Sequence, residues 1–96
     1  MLEKILEDQK RLAFKQFTGM KFEEYKYAYI GVDAEVEHIR QALTLLGPGL
    51  SFIDYLEKRR EMIRNLALGQ QKEVMLFNLL AGQCRVMNAV LERYDR

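Results

Sequence analysis

The sequence predicts an all-α fold: a small antiparallel helical bundle of four to five helices with a long C-terminal helical hairpin. Three observations support this. Apolar residues recur at three- and four-residue spacing along most of the chain. The one strand-like alternation, Tyr25, Tyr27 and Tyr29, has no alternating partner segment and no Asn-Gly hairpin signal. The firmest breaker, Gly47-Pro48-Gly49, falls between two periodic runs and is short enough to join neighbouring helices. With 96 residues, 49% hydrophobic and 30% charged, the chain forms one domain over 1–96 rather than a disordered segment.

The first helix is expected over 2–17. Leu2, Ile5, Leu6, Leu12, Ala13 and Phe17 share a face, and Gly19 is placed to end it in a left-handed conformation. A second helix is expected over 21–30 from the spacing of Phe22, Tyr25 and Tyr29. Gly31-Val32-Asp33 reads as a break, with Asp33 as N-cap of a third helix, 34–46, whose seam is Val36, Ile39, Leu43 and Leu46. The fourth, 51–68, opens on an apparent capping box (Ser51 and Asp54, stapled by Leu50 and Tyr55) and turns Phe52, Leu56, Ile63 and Leu66 inward. Gly69 then stands as its C-terminal stop.

The fifth helix, 71–93, carries two apolar stripes. Phe77, Leu80, Cys84, Met87, Leu91 and Tyr94 form a seam of strict three-four spacing. Met75, Leu79, Gly82, Val86 and Val90 form a second line on another face, so this helix needs cover on two sides. A mid-helix glycine costs about 1 kcal/mol against alanine, so Gly82 points to close approach of another backbone. That second line is taken as an interface for self-association or for a protein partner.

Composition narrows the chemistry. Fifteen Lys and Arg against fourteen Asp and Glu leave a formal charge of +1, well short of the basic excess of a dedicated nucleic-acid binder. The basic cluster Lys58, Arg59, Arg60 and Arg64 nevertheless supports an alternative reading as a small DNA-binding regulator, with 34–46 and 51–68 cast as a helix-turn-helix. A second alternative takes Glu35-x-x-His38 as half of a carboxylate-bridged dimetal motif in a metal-dependent enzyme. The chain's single His means that one subunit lacks the second half. Cys84 reads as a buried, inert thiol, and no phosphate loop or nucleophile elbow is present. No catalytic residue, cofactor or bound metal is therefore expected, and the protein is read as non-enzymatic. No apolar stretch reads as a signal peptide or a span, which gives a cytoplasmic protein with no membrane partner as the expectation.

Phe52, Tyr55, Leu56, Arg59, Arg60 and Ile63, followed by Leu66, a short turn and a long helix ending Val90-Leu91-Glu92, resemble small helical-hairpin proteins of tailed bacteriophages. The likeness covers residues 50–93 and lies in apolar and charged spacing. It implies a module that acts by contact, as a virion-assembly component or a host-factor-binding protein located in the host cytoplasm or the virion. It transfers no functional residues.

Overall fold

The computed structural model describes residues 1–19 and 26–94. Four helices follow one another there: α1 (Leu2–Thr18), α2 (Lys26–Leu46), α3 (Leu50–Gly69) and α4 (Val74–Arg93). No strand occurs among the described residues, so the all-helical expectation holds. The tyrosine-rich stretch resolves as helix from Lys26 onward, while Phe22 and Tyr25 lie outside the described residues.

The main departure from expectation is at Gly31. The anticipated break at 31–33 does not exist, and α2 runs through it without interruption. The cause is packing: a Cβ at Gly31 would drive into the carbonyl oxygen of Leu79, with the Leu79 carbonyl carbon at 2.9 Å. Gly31 is therefore the position where α4 presses onto α2. Asp33 is mid-helix and pairs with Lys10 of α1 at 3.3 Å instead of capping anything.

The turns are partly as expected. Gly47 (φ 74°) and Gly49 (φ 134°) occupy left-handed angles that L side chains rarely adopt, which explains why glycines flank Pro48. The Gly47 amide donates to the Leu43 carbonyl at 2.8 Å, closing α2. The capping box is not formed: α3 starts at Leu50 behind Gly49, and no side chain caps it. Gly19 is right-handed (φ −96°), and Gly69 is the last residue of α3 rather than a residue beyond it. Glu73 occupies the N-cap position of α4 without a side-chain cap bond, and the helix begins three residues later than the predicted 71.

The core is built from Ile5 and Leu6 of α1, Val32, Val36 and Ile39 of α2, Phe52 and Leu56 of α3, and Val86, Met87 and Val90 of α4, all fully enclosed. Leu12 and Leu66, expected inside, are about half exposed. Phe17 is partly covered and stacks on Tyr29. α3 and α4 run antiparallel, with Phe52 against Tyr94 near one end and Arg60 on Asn88 further along. The most extensive helix pair is nevertheless α2 with α4, which displaces 51–68 and 71–93 as the centre of the fold. By length and composition alone α4 is long and apolar enough to cross a membrane, contrary to the expectation that no stretch approaches one. A third of that apolar window is buried, and α4 packs against all three other helices.

Candidate functional site

The two stripes of α4 separate cleanly in space. Leu80, Met87 and Leu91 enter the core, with Phe77, Cys84 and Tyr94 partly covered beside them. The second line faces α2. A Cβ at Gly82 would collide with the Ala28 carbonyl oxygen and lie 3.2 Å from the Val32 nitrogen. Val86 and Val90, one and two turns on, are fully enclosed, and Leu79 is half-buried. Four of the five proposed interface residues, Leu79, Gly82, Val86 and Val90, are thus covered within the chain itself, Leu79 and Gly82 by α2. Gly82 is indeed a site of close backbone approach, but the approaching helix is intramolecular. Of the five, Met75 alone remains exposed, at 51%.

The largest polar cluster of the interior joins α2, α3 and α4. Glu35, considered from sequence as half of a metal-binding pair with His38, is completely enclosed. Spacing explains its position: it lies one turn from both Gly31 and Ile39 and between the buried Val32 and Val36. Arg59 reaches it from α3 with Nε and Nη2 each donating at 2.9 Å, a two-pronged pair. The Gln83 amide of α4 adds a longer donor at 3.3 Å. The bonds from Glu35 hold the Arg59 guanidinium even more firmly protonated than usual.

One turn beyond Glu35, His38 Nε2 and the Tyr55 hydroxyl lie 2.6 Å apart, with their rings stacked at 5.9 Å. Burial lowers the His38 pKa below its ordinary 6.5, and the positive charge of Arg59 pushes it the same way against the weaker pull of Glu35. The imidazole is therefore held neutral at pH 7. An apolar recess of about 200 Å³ opens beside this pair, between Ala42, Leu45 and Leu46.

This arrangement redirects both alternative sites. The Glu35 carboxylate faces a guanidinium and the His38 ring faces a phenol, so the Glu35-x-x-His38 pair is engaged in helix packing. Among the described residues no three His, Cys, Asp or Glu side chains converge as a metal-holding group. The basic cluster is dispersed as well. Arg59 is an interior residue, Arg60 donates to the Asn88 carbonyl oxygen at 3.1 Å, Lys58 pairs with Asp54 at 3.0 Å, and Arg64 lies 3.8 Å from Glu61. Only Lys58 and Arg64 project mainly into solvent. Cys84 is half-buried at a cleft rather than sealed in the core, and burial raises its thiol pKa.

The surface feature that sequence spacing did not reveal is the apolar end at the α3–α4 turn. Leu66, Val74, Met75 and Leu76 are each 43–51% exposed and lie within two helical turns of one four-residue connection. The signal was present as the Val74-Met75-Leu76-Phe77 run, which exceeds what the two stripes of α4 need. No protein-family model, curated protein or solved structure matches the chain.

Proposed function

We propose that this protein is a non-catalytic helical module that acts by contact, and that its contact surface is the apolar α3–α4 end. The observation that carries this reading is the clustering of Leu66, Val74, Met75 and Leu76 there, half exposed, while the interior polar groups are mutually satisfied. Apolar side chains gathered at one end, rather than scattered singly, are the usual mark of an association surface. The occupant proposed is a second copy of the chain. A formal charge of +1 gives two copies little electrostatic reason to stay apart, and the ion pairs Lys58–Asp54 and Arg64–Glu61 neutralise the flank of α3 locally. The virion-assembly or host-factor role implied by the likeness of residues 50–93 belongs to the same proposal, since both roles work through contact.

The test is sedimentation equilibrium over a wide concentration range, with wild type beside Met75→Glu and Leu76→Glu. Wild type is expected to approach the dimer mass, and both variants to stay near 11.3 kDa with unchanged helicity. A wild-type protein that remains monomeric throughout overturns the reading.

A further inference from the structure

A second apolar end stands at the other extremity of α3. Leu45 and Leu46 close α2, Leu50 opens α3, and Gly47-Pro48-Gly49 joins them. Leu45 and Leu50 are 84% and 78% exposed, more than any apolar residue at the α3–α4 end. The recess beside His38 and Tyr55 lies here too, between Ala42, Leu45 and Leu46. α3 spans the distance between the two ends, and α4 is its one extensive neighbour.

The outward side of α3 carries an unbroken ridge. Leu50, Asp54, Lys58, Met62 and Leu66 follow one another at four-residue steps, and all five are exposed. The buried residues of the helix, Phe52, Ile53, Leu56, Ile63 and Ala67, occupy another face. A helix face that only meets water is ordinarily polar, yet three members of this ridge are Leu or Met. The ridge is apolar at both extremities and charged in its middle, where Asp54 and Lys58 pair at 3.0 Å and both stay largely in solvent.

The order of those charges decides how a second copy lies. Two α3 helices in parallel register would set Asp54 on Asp54 and Lys58 on Lys58. Turned antiparallel about a two-fold axis at the level of Leu56, each Asp54 faces the partner's Lys58, and the opposite-sign contact is made twice. The same register puts Leu50 opposite the partner's Met62 and brings Leu45 and Leu46 towards the partner's Leu66 and the apolar end beyond it. Pairing the two α3–α4 ends alone would leave Leu45 and Leu50 in water, whereas the antiparallel arrangement covers both ends of both copies in one closed contact.

We propose that two copies of the chain pack antiparallel along α3, so that the α3–α4 end of each meets the α2–α3 end of the other. This pairing rests on the second-copy contact proposed above and names the surface that receives it.

The experiment uses the full chain with its only cysteine replaced, Cys84→Ser, so that introduced thiols stand alone. Leu50→Cys and Met62→Cys, both at exposed positions, are oxidised separately, as a mixture, and combined in one chain. The mixture is expected to form a disulfide-linked dimer about tenfold faster than either variant alone, because facing thiols meet at a high effective concentration. The doubly substituted chain is expected to stop at the covalent dimer, since two bridges close the pair. In sedimentation, Leu50→Glu is expected to move the protein towards the monomer as Met75→Glu does. Three results overturn the antiparallel pairing while leaving association intact. Leu66→Cys, in the same background, may not link to itself faster than the mixture links, for that marks an end-to-end contact. A ladder of higher oligomers from the doubly substituted chain marks an open array, and a dimer indifferent to Leu50→Glu does not use the α2–α3 end. A wild type that stays monomeric throughout removes the second-copy contact and this pairing together.

Discussion

Helix α2 meets its two C-terminal neighbours in opposite ways. Where it crosses α4, Gly31 and Ala28 lie against Leu79 and Gly82 and backbone touches backbone, with one longer side-chain bond, Gln83 to Glu35, a turn away. Against α3 it extends long polar groups, with Glu35 reaching Arg59 and His38 reaching Tyr55. The first contact is specified by what has been removed, and it tolerates no added atom. The second is specified by charge and hydrogen-bond direction, and it fails when one partner is deleted. A helix pair can be fixed by either device, and this domain uses both on one helix.

The sharpest way to break the comparison is at the glycines. Gly31→Ala and Gly82→Ala each push a methyl group into a carbonyl oxygen, so each is expected to destabilise at or beyond the ~3 kcal/mol upper end of ordinary overpacking. Denaturant midpoints check this, and a gain in stability from the better helix former would refute the close approach. Of comparable size is Glu35→Ala, which strands Arg59 and is expected to cost about 3–5 kcal/mol. The double variant Glu35→Leu with Arg59→Met is expected to recover most of that loss, because an apolar pair has no charge left unmatched. Urea unfolding of the full mutant cycle decides it.

The smallest expected effect is pH dependence at His38. Its folded pKa lies below 6.5, so the unfolded chain takes up the proton first. The stabilisation is fully present above pH 6.5 and is lost as pH falls towards the folded value. Melting temperature is expected to drop on acidification through this window, and the His38→Gln curve to be flatter there. Parallel curves for the two proteins would remove His38 as the cause.

How far the sequence could be read depended on whether each residue's meaning was local. Val36, Ile39, Leu56, Leu80, Met87 and Leu91 declared themselves by spacing, because an amphipathic face needs no knowledge of its partner. Gly31 did not, because a glycine weakens a helix locally and also admits a neighbouring backbone, and only the presence of Leu79 decides between the two. Gly82 was recognised as a point of approach, but the identity of the approaching helix lay far away in sequence. The burial of Glu35 was not foreseen for a similar reason. A carboxylate among charged residues reads as solvated until Arg59, on another helix, is known to meet it. The cleft beside Cys84 is legible only in three dimensions, since its walls come from α1, α3 and α4.

The union of Ala28 and Gly31 with Leu79 and Gly82 also bears on how the chain reaches this state. The α3–α4 pair closes across a four-residue turn, whereas the α2–α4 crossing must gather segments separated by the whole of α3. Loop closure of that length opposes the step until the close contact forms, so folding is expected to be slower than in bundles stitched by neighbours alone. Until that step is complete, α4 presents its most hydrophobic flank to the solvent. Variants that slow this closure are therefore expected to clump more readily on refolding than variants that only speed unfolding.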